Sequence, residues 1–447
     1  MQRVPSALDT DYYQITMAAV YYRHGLNAPA TFSLFAHDLP PTRGYMVAAG
    51  LELCLEYLEN FCFKPHEIEY LDSLGLFSRD FLEMLEGLRF TGEVWALPEG
   101  TVCFAEEPLL EVTAPLIEAQ LVETMIINII NLHTTLATKA ARCIQAAAGR
   151  ACVDFSLRRT HGLDGGLAAA RSSAIVGFVG TSNVEAARVL GLRPVGTMAH
   201  SLVEAFGDEK EAFRGFASTF PDQTVLLVDT YDTLRGVQRA IEIAGELKAK
   251  GHKLVGVRLD SGDLVGMSIK ARQMLDKAGL KDVVIVASGS LDEFRMSEIL
   301  AKGAKIDLFG VGTRMGNSAD APYIDFAYKL VSYDGRPTLK LSTGKQTWAG
   351  AKQLWRELDD RGRIARDMLG LRDEQGPGEG LLVKVMEGGK RTSDVGGWRQ
   401  ARERFKSQWE TLPPTTLRLS DPHPIKPEPT PALIELQERA RKLAVGR

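Results

Sequence analysis

Short apolar runs recur through the centre of the chain, separated by turn residues and by helical patterns. Seven runs have the length and composition of buried strands, and they occupy residues 151–157, 174–179, 194–199, 224–230, 253–259, 283–287 and 306–311. Their starts lie roughly 20 to 30 residues apart, the length of one strand plus one crossover helix. The centre of the chain is therefore predicted to be a series of βα units around a parallel sheet.

The segment between the fourth and fifth runs shows the helical half of this repeat. Leu234, Val237, Ile241, Ala244 and Leu247 follow spacings of three and four and fall on one helical face. We favour a TIM-like α/β barrel of about seven parallel strands. An open doubly wound sheet uses the same units, and the pattern alone does not exclude it.

The two ends of the chain have a different pattern. Residues 91–114 and 323–341 alternate apolar and polar positions between turn signals, including Asp334-Gly335, and predict antiparallel strands. From residue 413 to 431 prolines are frequent and no apolar period survives, which predicts an extended surface arm. We therefore expect both ends to build one flanking α+β domain.

These patterns divide the chain into three parts. Residues 1–130 form the N-terminal part of the flanking domain, residues 131–320 the catalytic barrel, and residues 321–447 the C-terminal part of the flanking domain. The last part contains the proline-rich arm and a final helix over residues 432–444. The barrel is therefore predicted to be continuous in sequence.

Composition narrows the class of function. The chain has 57 acidic and 53 basic residues, a formal net charge of −4, without long runs of one sign, so it has no electrostatic footprint for nucleic acid or an anionic membrane. Five cysteines without a C-x-x-C pair argue against a disulfide framework and a zinc ribbon. The start of the chain lacks a signal-peptide pattern, and its most apolar helical stretch is interrupted by polar residues. We expect a cytoplasmic protein that acts on small molecules.

Each predicted strand ends in polar or glycine-rich residues. In a βα barrel the strand C-termini and the loops after them form the catalytic face. The seven endings are residues 154–159 (DFSLRR), 180–183 (GTSN), 196–201 (GTMAHS), 229–230 (DT), 258–263 (RLDSGD), 288–290 (SGS) and 310–313 (GVGT). One such ending is typical of a helix cap, whereas seven on one rim indicate a site.

The fifth strand places two charges toward the barrel interior. Strand alternation puts Arg258 and Asp260 on one face and the apolar Val257 and Leu259 on the other, which must meet the helices. Burying both charges costs several kcal/mol per ion, roughly, unless each finds partners. The pair is therefore either a structural bridge or a ligand-binding pair, and its place at the rim favours the ligand.

The last two strand endings have the composition of phosphate-binding turns. Ser288, Gly289, Gly310, Gly312 and Thr313 are small residues at strand-to-helix turns, where free backbone N–H groups hold anions. A plain tight turn has the same composition. Two neighbouring turns at the last strands, where barrels often bind phosphate, favour the anion site.

One histidine stands out on the rim. His200 follows the third predicted strand directly and precedes a helix, a position in which histidines act as general bases, nucleophiles or ligands. His161, just past the first strand, is its rival. We favour His200.

Six blocks along the chain together resemble nicotinate phosphoribosyltransferases. They are residues 10–17 (TDYYQITM), 180–184 (GTSNV), 196–201 (GTMAHS), 228–233 (VDTYDT), 257–264 (VRLDSGDL) and 310–313 (GVGT). The blocks occur in the family's order and span roughly residues 8 to 350. Residues 161–162 (HG) depart from the pattern, because relatives have Gln or Glu after the paired arginines Arg158 and Arg159.

The resemblance implies a fold and a reaction. The fold is that of the type II phosphoribosyltransferases, an irregular α/β barrel with a flanking domain, acting as a homodimer with active sites shared between subunits. The reaction joins nicotinate and phosphoribosyl diphosphate to give nicotinate mononucleotide and diphosphate, a step of NAD biosynthesis. It uses Mg²⁺ and is coupled to hydrolysis of ATP to ADP and phosphate.

The resemblance also implies roles for individual residues. His200 resembles the histidine that accepts a phosphoryl group from ATP, and Asp260 resembles a catalytic carboxylate that holds ribose hydroxyls or Mg²⁺. Tyr13, contributed by the partner subunit, and Phe155 resemble the aromatic pair that encloses the pyridine ring. Strand alternation instead turns Phe155 outward, and only a twist or bulge at the strand end reconciles the two expectations.

The remaining matched positions divide between the two substrates. For nicotinate they are Ser182, Thr197 and Arg258, and for phosphoribosyl diphosphate they are Arg158, Asp263, Ser288, Gly289, Gly310, Gly312 and Thr313. Ser182 discriminates between pyridine substrates, because nicotinamide enzymes have Asp at this point of the motif. An Asp there repels the carboxylate of nicotinate, whereas a serine hydroxyl donates to it.

Two alternatives remain at the level of the sequence. One is a related phosphoribosyltransferase that uses nicotinamide or quinolinate. The other is a barrel that binds a nucleotide or sugar phosphate as a sensor without turnover. The rim position of His200 argues against a sensor, because a protein that only binds its ligand has little use for a phosphorylatable histidine there.

Overall fold

A computed structural model describes residues 5–341, 347–392 and 395–445. The chain divides into two compact units. The terminal unit consists of Met1–Thr138 with Ala321–Arg447, and the central unit is Lys139–Asp320. Among the described residues, no helix is both long enough and apolar enough to cross a bilayer.

The helices and strands follow one another along the chain with short connections. The helices are α1 (Tyr12–Arg23), α2 (Leu51–Glu59), α3 (Pro65–Ser73), α4 (Arg79–Gly87), α5 (Leu116–Leu121), α6 (Glu123–Ala146), α7 (Gly162–Ile175), α8 (Val184–Leu190), α9 (His200–Phe206), α10 (Glu209–Thr219), α11 (Thr233–Ala249), α12 (Leu264–Lys277), α13 (Glu293–Ala301), α14 (Thr313–Gly316), α15 (Trp398–Trp409) and α16 (Pro431–Val445). The strands are β1 (Pro29–Ala36), β2 (Met46–Val47), β3 (Glu93–Ala96), β4 (Val102–Cys103), β5 (Pro108–Pro115), β6 (Ala151–Asp154), β7 (Val225–Leu227), β8 (Gly256–Leu259), β9 (Val284–Ala287), β10 (Leu308–Val311), β11 (Phe326–Tyr333), β12 (Arg336–Pro337), β13 (Lys352–Leu358), β14 (Ile364–Leu371), β15 (Val383–Glu387), β16 (Lys390–Arg391) and β17 (Glu428–Pro429).

Strands from both ends of the chain share one sheet in the terminal unit. Its order is β12-β11-β1-β5-β3-β15-β16, and β1 pairs antiparallel with β5 on one side and β11 on the other. The antiparallel strands expected over residues 91–114 and 323–341 are confirmed. Asp334 and Gly335 turn the chain between β11 and β12 with φ angles of 52° and 71°, the left-handed backbone that a tight hairpin needs.

The C-terminal arm contacts the rest of the terminal unit at two places. Its strand β17 pairs parallel with β14, in the three-stranded sheet β13-β14-β17. At Gly44, a Cβ atom would overlap the carbonyl oxygen of Thr416, so only glycine allows this close approach. The final helix, predicted over residues 432–444, is α16.

The central unit contains a five-stranded parallel sheet in the order β6-β10-β9-β8-β7. The last strand, β10, pairs with the first, β6, as in a barrel, whereas a doubly wound sheet reverses its strand order. Isolated parallel bridges continue the sheet from Asp154 to Thr181 and from Thr181 to Pro194. No hydrogen-bonded pair among the described residues joins the segment at Pro194 to β7. The mixed α/β class is thus as predicted, and the closed barrel stays a prediction.

Two of the seven predicted strands are wrong. Residues 174–179 begin as the end of α7 and continue as a loop in which Val176 and Phe178 are buried and Val179 is exposed. A short apolar run looks the same in a strand and at a buried helix end. In residues 194–199, only Pro194 forms a bridge. Proline has no N–H to donate to a ladder, and most of the segment is partly or fully exposed. The other five runs are β6 to β10, and the intervening helix is α11.

A buried ion-pair cluster joins α6 to α13 inside the central unit. The Glu293 carboxylate contacts Lys139 Nζ at 2.5 Å and Arg142 Nε at 2.8 Å, and Lys139 also contacts Asp320 at 2.6 Å. The side chains of Lys139, Arg142 and Glu293 are at most 2% exposed. Because water cannot solvate these charges, each depends on its partners.

Removing Glu293 should therefore lower the free energy of unfolding more than removing a surface glutamate from the same helix. We expect Glu293→Ala to lower the free energy of unfolding by about 3–5 kcal/mol, because Lys139 and Arg142 both lose a buried negative partner that water cannot replace. Glu298→Ala on α13 removes only exposed pairs with Arg295 and Lys302 and is the matched control, expected to unfold like the wild type. Urea unfolding measures both, and equal midpoints for the two variants would contradict the role of the cluster.

Candidate active site

Two adjoining cavities open where the strands of the central unit end. We call the larger one, about 620 Å³, the arginine cavity and the smaller one, about 380 Å³, the histidine cavity. Of the predicted site residues, the arginine cavity is lined by Phe155, Arg158, Arg258, Asp260, Ser288, Gly289, Gly310, Gly312 and Thr313. The histidine cavity is lined by Phe155, Arg158, Ser182, Thr197, His200, Arg258 and Asp260. Four of these residues belong to both cavities.

Arg258 is one of the shared residues, and it is held by four hydrogen bonds. Its Nε donates to Ser288 Oγ at 2.8 Å, Nη1 donates to Thr197 Oγ1 and to the Met198 carbonyl at 3.1 Å each, and Nη2 donates to Asp260 Oδ1 at 2.6 Å. The side chain is 13% exposed. Both Arg258 and Asp260 line the cavities as predicted, Arg258 within β8 and Asp260 one residue beyond the end of that strand. Since a guanidinium has five donor hydrogens, one on Nη2 remains for a ligand.

Asp260 is kept ionised by its neighbours. Burial on its own raises the pKa of this carboxyl, but hydrogen bonds from Ser288 and Arg258 and the positive charges nearby hold the pKa below its ordinary value. Both hydrogen bonds use Oδ1, at 2.5 Å from Ser288 Oγ and 2.6 Å from Arg258 Nη2. The other oxygen, Oδ2, lies 4.0 Å from His200 Nε2 and accepts no hydrogen bond from the described part of the chain.

Asp229, which we did not predict as a site residue, fixes the loop that carries Asp260. Its Oδ2 accepts hydrogen bonds from the backbone N–H of Asp260 at 2.8 Å and of Ser261 at 2.9 Å, and from Ser261 Oγ at 3.0 Å. The loop is therefore attached to the end of the neighbouring strand β7. The sequence signal was the Asp-Thr ending of the fourth run, to which we had assigned no role.

The ring of Phe155 faces both cavities, so the outward orientation predicted from strand alternation is wrong. The strand β6 ends at Asp154, one residue earlier, and alternation no longer applies. Asp154 is the residue that turns into the protein, where it accepts from Thr181 Oγ1 and the Ser156 N–H, and burial raises its pKa. The Phe155 ring packs closely against Gly310, and Arg258 Cζ stands 5.6 Å from the ring centroid.

The arginine cavity is strongly cationic. Five arginines line it, against the single carboxylate of Asp260: Arg158, Arg159, Arg258, Arg295 and Arg314. Arg158 and Arg159 are exposed and form no ion pair within the described residues. Such a surplus of charge suits a ligand with several anionic groups.

Two of the lining arginines were missed because their signals are weak. Arg295 lies in the first turn of α13 and pairs with Glu298 at 2.7 Å, and Arg314 follows the predicted Thr313 and pairs with Asp292 at 2.6 Å. In a sequence, both read as ordinary helix-surface residues. Only their position shortly after the predicted phosphate turns at residues 288–290 and 310–313 pointed to the cavity.

The small residues of the two turns are required by packing. Gly289 has a φ of 88°, and a Cβ there would overlap the carbonyl oxygen of Asp260. A Cβ on Gly312 would come within 2.9 Å of the Phe155 carbonyl oxygen. Thr313 begins α14, and it is exposed to the cavity. Close packing of the turns leaves their backbone at the cavity surface, where its N–H groups can meet an anion.

His200 is the first residue of α9 and lines the histidine cavity with 39% of its side chain exposed. Its Nδ1 is 3.1 Å from Thr230 Oγ1. The rival histidine, His161, precedes α7 and lines neither cavity. Ser182, by contrast, lies in the wall of the histidine cavity, half-buried.

Two predicted site residues do not line these cavities. Tyr13 belongs to α1 in the terminal unit, where its ring is 47% exposed. Asp263 caps α12, accepting a hydrogen bond from the Gly266 N–H at 3.0 Å. Within the described residues, no group of three or more His, Cys, Asp or Glu side chains is arranged to hold a metal ion.

These features define an α/β site in which the Phe155 ring and the Arg258 guanidinium border the cationic arginine cavity. Three family models match the chain: the nicotinate phosphoribosyltransferase N-terminal domain over residues 8–131, the nicotinate phosphoribosyltransferase family over residues 150–352, and the C-terminal domain over residues 378–437. Together they cover most of the chain. The chain therefore belongs to the nicotinate phosphoribosyltransferase family.

Individual relatives agree with the family models. Nicotinate phosphoribosyltransferase pncB2 of Mycobacterium tuberculosis is 48% identical over 416 residues, covering 93% of this chain and 89% of that protein. The nicotinate phosphoribosyltransferase of Bacillus subtilis is 44% identical, covering 83% of this chain and 77% of that protein. The crystal structure of human nicotinic acid phosphoribosyltransferase matches with a TM-score of 0.87 at 28% identity, covering 96% of this chain and 99% of that one.

The contact between Gly310 and Phe155 can be tested by adding one methyl group. A Cβ on Gly310 would stand 2.5 Å from the Phe155 ring, so we expect Gly310→Ala to displace the ring and to lower the free energy of unfolding by about 1–3 kcal/mol. Gly245→Ala, on the exposed face of α11 with open space around it, should instead stabilise by about 0.5–1 kcal/mol. Denaturant unfolding of both variants checks this. Equal stabilities would mean that the ring does not depend on Gly310.

Proposed function

We propose that the chain transfers the phosphoribosyl group of phosphoribosyl diphosphate to nicotinate, giving nicotinate mononucleotide and diphosphate in NAD biosynthesis. We further propose that hydrolysis of ATP is coupled to this transfer through a phosphohistidine at His200. The observation that carries the proposal is the meeting of the two cavities at Arg258 and Phe155. Membership of the family supports the choice of nicotinate.

The histidine cavity suits an aromatic carboxylate. The Phe155 ring offers a stacking surface, and the free Nη2 hydrogen of Arg258 offers a charge-assisted hydrogen bond to the carboxylate. Ser182 and Thr197 add hydroxyl donors to the same wall. No carboxylate other than Asp260 lines this cavity, so an anionic ring substrate meets little repulsion.

The arginine cavity suits the phosphates of the second substrate. Arg158 and the turns at Ser288–Gly289 and Gly312–Thr313 lie around it, and we assign them to the 5′-phosphate and the diphosphate. The pyridine nitrogen attacks C1′ of the ribose as the bond from C1′ to the diphosphate oxygen breaks, and diphosphate leaves with that electron pair. Because the transition state is oxocarbenium-like, placing the diphosphate among the arginines supplies much of the acceleration.

Mg²⁺ fits the residues present. The ion is commonly bound through one or two carboxylates together with substrate phosphates, so a site of three protein carboxylates is not needed. Asp260, with its Oδ2 free of hydrogen bonds from the described residues, would hold it beside the diphosphate. When bound, Mg²⁺ neutralises charge on the leaving group. Asp263, which caps α12, is left with the lesser role of shaping the loop after β8.

His200 is the group that we assign to ATP. Its exposed imidazole stands beside Asp260, which lines both cavities, so a phosphoryl group on the ring would lie close to the transfer site. A cationic ring formed by phosphorylation would have the Asp260 carboxylate nearby as its counter-charge. Gain and loss of this group would couple ATP hydrolysis to product formation.

We also propose a homodimer with shared sites. Helix α1 exposes Tyr12, Tyr13 and Val20 by 54%, 47% and 53%, which is a large apolar surface for one short helix. A second copy that covers this surface would bring its own Tyr13 to a neighbouring site. The partner's Tyr13 would then complete the stack on the pyridine ring opposite Phe155.

A substrate panel tests the identity of the pyridine. With phosphoribosyl diphosphate, Mg²⁺ and ATP, we expect product mass for nicotinate and none for nicotinamide or quinolinate. Ser182→Asp should lower kcat/KM for nicotinate by about a hundredfold or more, because like charges placed together cost several kcal/mol. Ser218→Asp on the exposed surface of α10 is the control and should behave like the wild type. Equal use of nicotinamide by the wild type would refute the assignment.

Removing the histidine tests the coupling to ATP. We expect His200→Ala to lose all stimulation by ATP while slow, ATP-independent transfer from labelled nicotinate remains measurable. His161→Ala, which removes the rival histidine outside both cavities, should keep full stimulation. If His200→Ala depended on ATP as strongly as the wild type, His200 would have no part in the coupling.

A further inference from the structure

Thr230 lines neither cavity, yet its hydroxyl is the group that holds the His200 ring. Oγ1 lies 3.1 Å from Nδ1, within hydrogen-bond distance. The other ring nitrogen, Nε2, is 4.0 Å from Asp260 Oδ2, which is too long for a hydrogen bond. One nitrogen is thus occupied by Thr230, and the other is free on the side of Asp260.

The tautomer of the ring decides whether that free nitrogen can react. A neutral imidazole has its proton on one nitrogen and a lone pair on the other. A nucleophilic Nε2 therefore needs the proton on Nδ1, and a proton on Nδ1 is stabilised by an acceptor in contact with it. Thr230 Oγ1 is in the position to be this acceptor.

We propose that Thr230 is a positioning residue that accepts the Nδ1 proton of His200 and so presents a lone pair on Nε2 for phosphoryl transfer. The inference rests on the proposed role of His200 in the coupling to ATP. It adds a residue that touches no substrate and acts only through the ring.

The turn that carries Thr230 is itself held in place by hydrogen bonds of its neighbour Asp229. Asp229, the neighbour of Thr230, accepts three hydrogen bonds from Asp260 and Ser261. The turn after β7 therefore holds two groups at once: Thr230 orients the ring of His200, and Asp229 fixes the backbone of Asp260. The distance between Nε2 and the Asp260 carboxylate is consequently set by one short segment.

The phosphoryl transfer balances with this arrangement. The Nε2 lone pair forms a bond to the γ-phosphorus of ATP, and the bond from that phosphorus to the bridging β-phosphate oxygen breaks. Its electron pair leaves with ADP. The ring keeps its proton on Nδ1, in contact with Thr230. It becomes positively charged, and the Asp260 carboxylate stabilises this charge as its counter-charge.

The experiment compares two substitutions of Thr230 in the full-length enzyme. Thr230→Val keeps the shape of the side chain and removes the hydroxyl, whereas Thr230→Ser keeps the hydroxyl. Thr219→Val is the matched control, because Thr219 is an exposed threonine on α10 whose hydroxyl bonds only a helix carbonyl, that of Gly215. ATP labelled in its γ-phosphate measures the rate of acid-labile phosphorylation, and ¹⁵N chemical shifts of His200 report the tautomer.

We expect Thr230→Val to slow phosphorylation about tenfold, the rate equivalent of one lost hydrogen bond, and to shift the ring toward the Nε2–H tautomer. Thr230→Ser and Thr219→Val should retain the rate and the tautomer of the wild type. Wild-type phosphorylation and tautomer in Thr230→Val would overturn the inference while leaving the role of His200 intact. A wild-type enzyme that takes up no label at His200 would overturn the proposed coupling, and the inference with it.

Discussion

The site depends on one buried guanidinium. Arg258 is nearly enclosed, and its hydrogen bonds reach Ser288 after β9, Thr197 and Met198 before α9, and Asp260 after its own strand. Because the fork is planar and rigid, these contacts fix the relative positions of three separate loops. A lysine has the same charge but offers a single flexible ammonium, which cannot hold three loops in one plane. Arg258 is also one of the four residues that belong to the walls of both cavities.

The charge around the arginine cavity is opposite in sign to the net charge of the chain. The chain as a whole is slightly acidic, with a formal net charge of −4, yet five arginines surround the arginine cavity. A concave cationic recess in an otherwise acidic protein concentrates its field at the mouth and attracts polyanions selectively. The one carboxylate inside, Asp260, accepts hydrogen bonds from Arg258 and Ser288. Its negative charge therefore offsets mainly the charge of Arg258 and leaves the other arginines of the cavity as a positive surplus. This field favours phosphorylated ligands on one side of the site, which agrees with the proposal that the histidine cavity holds the pyridine ring.

Much of this arrangement follows from the sequence, and the exceptions have physical causes. Five apolar runs form the parallel sheet, and the inward direction of Arg258 follows from alternation along β8. Alternation failed for Phe155 because β6 ends one residue before it. The strand expected over residues 174–179 failed because the run begins as the buried end of α7, where a short apolar run looks the same as in a strand. Local patterns predict elements, but they do not predict where an element stops.

The remaining residues that sequence reasoning missed owe their roles to neighbours that are close in space but distant along the chain. Asp229 and Thr230 each contact residues about 30 positions away along the chain, at Asp260 and His200, so the Asp-Thr ending of the fourth run marks their position but not their partners. Gly289 was predicted as part of a phosphate turn, but its left-handed backbone is also required by the Asp260 carbonyl packed against it.

The sheet of the terminal unit has a consequence for synthesis of the chain. Strand β1 lies between β5 and β11, and these two partners are separated by the whole central unit. When the ribosome has made β1 and β5, one long edge of β1 still has no partner, and it waits until residue 333 has left the exit tunnel. During that interval the central unit, whose strands are continuous in sequence, can already form its own hydrogen bonds, whereas the open edge of β1 is available to other nascent chains. Translation speed and chaperone supply therefore matter more for the first 138 residues than for the 182 that follow.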